Sequence, residues 1–249
     1  ELEQTCLSAC QKAVEAGLTT VHWIIESPTE IRTVQKLRAN KNLPIRVYII
    51  IPVEFMEHLI ELGLQTGFGD NMIKIGSIKI LTDGSLGART AALTEPYSDE
   101  PKTKGMTLYT QEELNRLIKE AHEADLQLAI HAIGDKAVDM TLTAIEKELA
   151  KNPKKNLRHR IEHASVLNKK LIDRVKKLNL IASVQPHFVI SDFWVTDRLG
   201  PKRARWTYAF KTLMHEDIFT IGSSDCPVEP ISPLLGIYAA VTRKKNQEE

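Results

Sequence analysis

Four polar side chains stand at or near the carboxyl ends of apolar runs that are far apart in the chain. Lys79 lies in SIKILTDG, His131 in QLAIHA, His163 in HRIEHA and Asp225 at the end of IGSSD. Neutral imidazole and carboxylate oxygen are ligands of zinc-like metals in catalytic sites. A metal would lower the pKa of its bound water to about 7, and an adjacent aspartate could take and return the proton. The set predicts a metal-dependent hydrolytic site, although each histidine alone is explained equally well by packing.

Helical and strand patterns alternate along the chain and would position these residues. The strand patterns are continuous apolar runs, which are typical of a parallel sheet covered on both faces. Parallel strands in a (β/α)8 barrel carry the active site at their carboxyl ends, so distant residues would share one face. The predicted strands are TTVHWII, IRVYII, SIKILTD, QLAIHA, HRIEHA, LIASVQP and IFTIGSSD; the predicted helices cover residues 2–16, 29–40, 54–64, 110–126, 135–150, 168–178 and 206–214, with a last one in PISPLLGIYAAVTR.

The fold class follows from the number and order of these elements. A doubly wound α/β sheet would accommodate seven strands, but its Gly-rich turn after the first strand is absent from the sequence. A (β/α)8 TIM-type barrel needs eight strands and typically runs to about 250 residues. Because the chain begins on a helix, we expect one α/β barrel domain over residues 1–249 that is incomplete, with its first strand upstream.

Composition limits the function classes. The chain has 249 residues, 43% of them hydrophobic, which is enough for a substantial core, and its formal net charge of +1 leaves no basic face for nucleic acid. The apolar run IRVYIIIPV is shorter than the roughly 18–20 residues that span a bilayer. Three cysteines form no even disulfide framework. We therefore expect a cytoplasmic protein that binds neither nucleic acid nor membrane.

Five sequence blocks resemble the metal-dependent amidohydrolase superfamily. They are IKILTDGSLGARTAALTEPYSD, LAIHAIGDKAVD, RHRIEHASVL, ASVQPHF and IGSSDCPVEPISPLLGIYAAVTR, and they occur in the family's order. The most similar branch is the amidohydrolase-3 group, which includes N-substituted formamide deformylases and the YtcJ-like proteins. The resemblance implies a metal-dependent hydrolase of carbon–nitrogen bonds, usually in non-peptide amides, with a small-molecule substrate.

The resemblance also implies roles for the four residues. His131 and His163 match metal ligands at the ends of the fifth and sixth barrel strands, and Asp225 matches the aspartate of the eighth, as ligand and proton acceptor. Lys79 matches a fourth-strand lysine that is carboxylated and bridges the metals in binuclear members. The implied cofactor is a divalent metal, with zinc expected, one or two per full-length protein.

One departure from the family pattern is prominent. Family members carry a His-x-His pair on the first strand, and no His-x-His occurs in these 249 residues. The chain therefore resembles an internal fragment that covers the second to eighth barrel units. A barrel without its first strand would have an open seam, which we expect to promote homo-oligomers or distortion, and its metal shell would be incomplete.

Three further residues are candidates for substrate contact or catalysis. His187 could donate a hydrogen bond to a developing oxyanion. Gln185 ends the strand before it, and Arg89 lies in a connection, residues 84–108, that is long enough to be a binding loop. Arg89 is explained equally well as a surface residue. The other histidines lack strand-end placement and are interpreted as surface or packing residues: His22, His58, His122, His159 and His215.

Two other function classes remain open. A catalytically silent homologue could serve as a regulator or binding module, although the presence of all four polar residues argues against it. A phosphate-binding barrel enzyme such as an isomerase would need Gly-rich loops after the last two strands. The segment IGSSDCPVEP does not provide such a loop, so this class is the least favoured.

Overall fold

Seven parallel strands form one sheet in the computed structural model, which describes residues 1–154 and 156–244. The strands are β1 (Thr20–Ile24), β2 (Arg46–Pro52), β3 (Ile73–Leu81), β4 (Gln127–Ala132), β5 (Arg160–His163), β6 (Ile181–Val184) and β7 (Thr220–Gly222). Their order in the sheet is their order in the chain, so every connection crosses to the adjacent strand. The seven strands predicted from the apolar runs are confirmed.

Helices occupy most of the connections. The helix before β4 begins with a capping box, in which the Thr110 side chain accepts from the Glu113 amide and the Glu113 carboxylate accepts from the Thr110 amide. The helices are α1 (Leu2–Glu15), α2 (Pro28–Ala39), α3 (Met56–Glu61, after a 3-10 turn at Val53–Phe55), α4 (Gln111–Glu123), α5 (Asp135–Lys151), α6 (Lys169–Lys177), α7 (Phe188–Ser191), α8 (Val195–Ala204), α9 (Phe210–His215) and α10 (Pro233–Thr242).

The core lies between the sheet and these helices. In β4, Leu128, Ala129 and Ile130 are all fully buried, so both faces of this central strand are covered. Leu114 and Ile118, one turn apart on α4, are buried in the same apolar cluster. A strand covered on both faces has no polar face to alternate with, which is why the sequence shows continuous apolar runs.

Contacts across the sheet show that it is curled into most of a barrel. Arg160 on β5 donates from Nη1 to Nδ1 of His22 on β1 at 2.9 Å, although four strand spacings separate β1 from β5. In a flat sheet those spacings would amount to about 19 Å at roughly 4.8 Å each. The sheet therefore curves round until its first and fifth strands face each other, as in the predicted TIM-type barrel.

The curl does not close, because β1 and β7 are the ends of the strand order. Alternate residues of β1 are exposed, and they include His22 and Ile24. Ile24 is 41% exposed despite being an apolar strand residue. The incomplete (β/α)8 arrangement expected from the sequence is thus observed in the described residues, and its interior is accessible to solvent from the β1 side.

The segment between β6 and β7 contains structure that sequence reasoning missed. The sequence predicted only a helix over 206–214 here, whereas the segment forms α7 and α8 before α9. Helix α8 is interrupted by Gly200, at φ 70°, followed by Pro201. A glycine and a proline inside ten residues remove the regular apolar spacing that identifies a helix in sequence.

The outer surface retains exposed apolar residues on the last helix. Leu234, Ile237 and Val241 of α10 are 73%, 60% and 79% exposed, and Ala239 is the buried residue of that helix. Within the described residues, no helix has the length and hydropathy needed to cross a membrane.

Candidate functional site

Two histidine side chains meet at the carboxyl ends of adjacent strands. His131 lies in β4 and His163 ends β5, and the strand register pairs Ala132 with His163. Their ring centroids are 4.5 Å apart, with an angle of 71° between the ring planes. The parallel sheet thus brings together two residues that are 32 positions apart in sequence.

The protonation pattern of the His131 ring follows from its contacts. Nε2 lies 3.0 Å from the carbonyl oxygen of Gly84 and 3.3 Å from Oδ1 of Asp83. A carbonyl oxygen only accepts, so Nε2 carries the proton and donates. In the neutral ring Nδ1 then has the lone pair, which is the state that binds metal ions.

His163 is more deeply buried. It is 5% exposed, and its Nδ1 is a buried atom with no hydrogen-bond partner among the described residues. Burial holds the pKa of His163 well below its ordinary value, the charges of His131 and Lys79 lower it further, and Gln185 acts in the opposite direction. A neutral imidazole with an unpartnered buried nitrogen is costly unless something binds that nitrogen.

The backbone at the end of β5 explains how His163 reaches the site. Arg160 and Glu162 alternate with Ile161, so they share one face of the strand, and His163 would be directed to the other face. The φ of His163 is 74° and that of Ala164 is 45°. The strand geometry therefore ends at His163 itself, in a conformation that L residues rarely adopt.

Lys79 and Asp225 belong electrostatically to the same group. Burial lowers the pKa of the Lys79 ammonium, with the carboxylates of Glu162 and Asp225 opposing that shift. Burial raises the pKa of Asp225, with Lys79 and His131 opposing. Lys79 and His131 thus act electrostatically on both His163 and Asp225.

A buried ion pair inside the barrel was not predicted. Arg160 donates from Nε to Oε1 of Glu162 at 2.5 Å, and the two residues are 4% and 7% exposed. In the sequence, this ion pair could have been suspected from the opposite charges of Arg160 and Glu162 on either side of Ile161 in a short strand. Glu162 supplies a negative charge beside Lys79.

The carboxylate of Asp83 contacts His131 and three backbone amides around the histidine pair. Its side chain is fully buried and accepts from the amides of Ala92 at 2.9 Å, Ile133 at 3.0 Å and Gly134 at 2.8 Å. A Cβ on Gly134 would lie 1.9 Å from the Ala92 carbonyl oxygen, so the close approach requires glycine. One carboxylate therefore ties residues 84–108 to the turn after β4 and contacts His131.

We expect the substitution Asp83→Asn to lower the free energy of unfolding by about 3 kcal/mol, because an amide cannot accept from all three buried N–H groups and each lost acceptor costs about 1–3 kcal/mol. Urea denaturation measures the loss. Asp135→Asn is the matched control: Asp135 is partly exposed and accepts one amide, from Thr94 at 2.9 Å. Equal losses in the two variants would contradict the role assigned to Asp83.

His187 is held by a glutamate that sequence reasoning also missed. Nδ1 of His187 is hydrogen-bonded to Oε2 of Glu229, and Oε1 of Glu229 accepts from the Ser191 hydroxyl at 2.5 Å. His187 and Glu229 are 9% and 7% exposed. Gln185, two residues earlier, donates to the Ser183 carbonyl at 3.2 Å and to the Ser223 hydroxyl at 2.9 Å.

Arg89 is placed differently from the other predicted residues. Its guanidinium donates to both carboxylate oxygens of Asp99, at 3.2 and 2.9 Å, within the same connection. Asp99 also accepts from Arg198 of α8, and Arg203 donates to the carbonyl oxygens of residues 95 and 96. The connection over residues 84–108 is thus bonded to α8, and no contact joins Arg89 to the histidine pair among the described residues.

A cavity of about 500 Å³ lies between α1 and the segment after β7, and Lys12, Cys226 and Glu229 are among its lining residues. Lys79, His131, His163 and Asp225 do not line this cavity.

The donor set is also incomplete for a metal ion. Across residues 1–154 and 156–244 no group of three or more His, Cys, Asp or Glu side chains is arranged to hold one. The two imidazoles fit as a pair of ligands, through the lone pair on Nδ1 of His131 and the unpartnered Nδ1 of His163. A third ligand has to come from a rearrangement or from elsewhere.

Comparison with known proteins gives one consistent family. The model of the amidohydrolase family matches residues 3–249. The Bacillus subtilis (strain 168) protein YtcJ, which is named as an amidohydrolase, is 42% identical over 221 residues, 88% of this chain and 40% of its own length. The Arabidopsis thaliana protein LONG AFTER FAR-RED 3 is 36% identical over 208 residues, 82% of this chain and 36% of its own length.

Solved structures agree in fold. An uncharacterized metal-dependent hydrolase from Pyrococcus furiosus superposes with a TM-score of 0.87 at 36% identity, covering 96% of this chain and 49% of its own. Another uncharacterized metal-dependent hydrolase, from Pyrococcus horikoshii OT3, superposes with a TM-score of 0.86 at 39% identity, covering 95% of this chain and 47% of its own. The chain thus spans less than half the length of these relatives.

Proposed function

The chain belongs to the amidohydrolase family, and from this membership we propose that it forms the barrel of a metal-dependent hydrolase that cleaves carbon–nitrogen bonds in small non-peptide amides, formamide-like or cyclic. The observation that carries the proposal is the histidine pair, two imidazole rings in contact at the carboxyl ends of adjacent strands. Similarity to the two Pyrococcus metal-dependent hydrolases supports a divalent metal at this place. Zinc is the metal proposed, since imidazole and carboxylate donors suit it.

The proposed metal ligands are His131, His163, Lys79 and Asp225. An orphaned Nδ1 on His163 and a lone pair on Nδ1 of His131 are the features that fit a metal. Lys79 would act as a ligand only in a neutral or carboxylated state, because an ammonium has no lone pair to offer. The lowered pKa of Lys79 through burial favours the neutral amine. When bound, the metal would supply an activated water for attack on the amide carbon.

Asp225 is proposed to hold and move the proton of the reaction. Burial raises its pKa, which brings a carboxyl group nearer to the pH at which it can both accept and return a proton. Lys79 and His131 act against that rise, so the balance between burial and charge sets its proton affinity. The carboxylate would therefore act as a general base towards water and as a general acid towards the leaving amine.

His187 and Gln185 are proposed to face the substrate, with His187 donating to the carbonyl oxygen as negative charge develops. The carboxylate of Glu229 fixes the His187 ring through Nδ1, which would reduce the reorganisation needed during reaction. Arg89 was proposed as a substrate-binding residue. Because its guanidinium is already paired with Asp99, a ligand would have to displace or bridge that pair.

We propose further that residues 1–249 are one domain, the second to eighth barrel units of the relatives' fold. The open edges of β1 and β7 support this, since within the described residues each of these strands is paired on one side only. A first strand with a His-x-His pair would fill the seam and supply the missing ligands. A second copy of the chain is the alternative way to cover these edges. Cytoplasmic location and absence of nucleic-acid partners stay predictions from composition.

A catalytically silent homologue is the second candidate function. The absence of a three-ligand cluster in the described residues favours it for this chain. The two candidates differ in one assay: the full-length natural protein, supplied with zinc, is screened against formamides, acyl-amines and cyclic imides. Turnover that disappears when zinc is removed supports the hydrolase, whereas zinc-independent background with all three classes supports the silent homologue.

A further inference from the structure

A second pair of histidines lies at the opposite end of the strands from the candidate site. His122 is in the last turn of α4 and His159 immediately precedes β5; they are 1% and 4% exposed. Nδ1 of His122 and Nε2 of His159 are 2.9 Å apart. The pair was expected to be ordinary surface or packing residues, and the proposed reaction does not involve it.

The direction of every hydrogen bond in this pair can be deduced. The amide of Leu128 donates to Nδ1 of His159 at 3.0 Å, so that nitrogen is an acceptor and Nε2 of His159 carries the proton. Nε2 of His159 then donates to Nδ1 of His122. Nε2 of His122 lies 2.7 Å from the carbonyl oxygen of Asn152, which only accepts, so this nitrogen is protonated too. Each of the four ring nitrogens therefore has a fixed role as hydrogen-bond donor or acceptor.

This chain of bonds has no place for an additional proton. Protonating Nδ1 of His159 would remove the acceptor of the Leu128 amide, and protonating Nδ1 of His122 would set two N–H groups against each other. A buried donor without an acceptor costs about 1–3 kcal/mol, so either event would open the bonds. Burial, together with the smaller effects of His122 and Lys154, lowers the pKa of His159 to about 3.

The charged groups around the pair come from each neighbouring element. Lys154, in the connection from α5 to β5, donates to the His122 carbonyl at 2.8 Å and to Oδ1 of Asp125 at 2.7 Å. Asp125 lies in the turn between α4 and β4, and Glu148 of α5 is bonded to Lys151. Arg158 of the same connection and Lys177 of α6 line, with His159, a cavity of about 210 Å³. Cationic side chains outnumber carboxylates around the pair, so they oppose a positive charge on either ring. The cavity gives solvent a route to His159.

We infer that His122 and His159 form an acid-sensitive latch, which holds Asn152 and the start of β5 against the end of α4 while both rings are neutral and releases them when either ring takes a second proton. The latch joins four elements at their ends: α4 through His122, β4 through Leu128, β5 through His159 and the α5 end through Asn152. Release would therefore loosen the amino end of the sheet without directly disturbing the histidine pair at its carboxyl end.

The sign of the pH effect follows from linkage. The unfolded chain binds a proton at His159 below about pH 6.5, whereas the folded chain binds it only near pH 3, so unfolding takes up a proton between these values. The stability from the latch is complete above about pH 6.5 and is lost as the pH falls towards 3.

Nitrogen-15 NMR of the histidine rings tests the latch directly in the wild-type chain. At pH 7 both rings should show the tautomer protonated at Nε2, and the His159 ring should keep it down to about pH 5. Below that, the Leu128 amide should lose its exchange protection before the centre of β4 does. A His159 ring that titrates near pH 6.5 while the Leu128 amide stays protected would overturn the proposal, as would either ring protonated at Nδ1 at pH 7.

Proton uptake on unfolding gives a second readout. The variant His159→Asn should take up about one proton fewer than wild type on urea unfolding at pH 5, because it lacks the titrating ring. The control His215→Asn removes an exposed histidine at the end of α9 and should leave the uptake unchanged. Equal uptake in His159→Asn and wild type would contradict the latch, and if that variant does not fold, the ring spectra of the wild-type chain decide.

Discussion

Replacing His131 and His163 together by alanine should lower amide hydrolysis by the full-length natural protein by about 10³-fold or more. The proposed metal is worth several kcal/mol to the transition state, and about 4 kcal/mol corresponds to about 10³ in rate. Both imidazoles belong to one pair, 4.5 Å between centroids, so losing both removes every histidine ligand that the described residues supply to the site. Steady-state kinetics with zinc in excess measure the effect.

The matched control for this double variant is His122→Gln with His159→Asn, which also removes two buried histidines from adjacent elements but at the other end of the sheet. At pH 8, and at a temperature where it is folded, this control should keep activity within about tenfold of wild type. Loss of activity in the control as large as in the double alanine variant would mean that general destabilisation, rather than ligand loss, causes the effect.

Asp225→Asn should lower kcat by about 10²-fold or more while zinc binding is largely retained, because a positioned proton-transfer group typically contributes 10²–10⁴. The side chains are nearly isosteric, and Asn keeps an oxygen donor but cannot take a proton. Asp217→Asn, at an exposed position between α9 and β7, is the control and should leave kcat unchanged. Near-normal turnover in Asp225→Asn would remove Asp225 from the proton-transfer step.

The sequence allowed the parallel sheet to be predicted for a physical reason, and it suggested which strand-end residues to propose for the site. Strands buried on both faces must be continuously apolar, so β4 and its neighbours are visible as short runs with a polar residue at their end. His131 and Asp225 were identified in this way, and parallel pairing then required a common edge. The resemblance to the amidohydrolases supplied the roles, which position alone did not.

The features that were missed depend on contacts between distant parts of the chain. Asp83 has three amide partners that lie 9 to 51 positions away in the chain, and only the fold brings them together. The latch joins His122 to a histidine 37 positions later. Arg89 was a candidate for substrate contact and equally for a surface role, and its pairing with Asp99, ten residues along, was not predicted. No periodic pattern records such contacts, because each depends on side-chain direction after folding.

The most direct test of the central claim, that the histidine pair is part of a metal site, is zinc titration by calorimetry of the 249-residue chain and of its His131→Asn, His163→Asn double variant. We predict that the wild-type chain binds one zinc ion weakly, since the described residues provide no three-ligand cluster, and that the double variant loses this binding. Identical zinc affinity in both proteins would contradict the claim. Two tightly bound zinc ions in the wild-type chain would show instead that its metal shell is complete without a further strand.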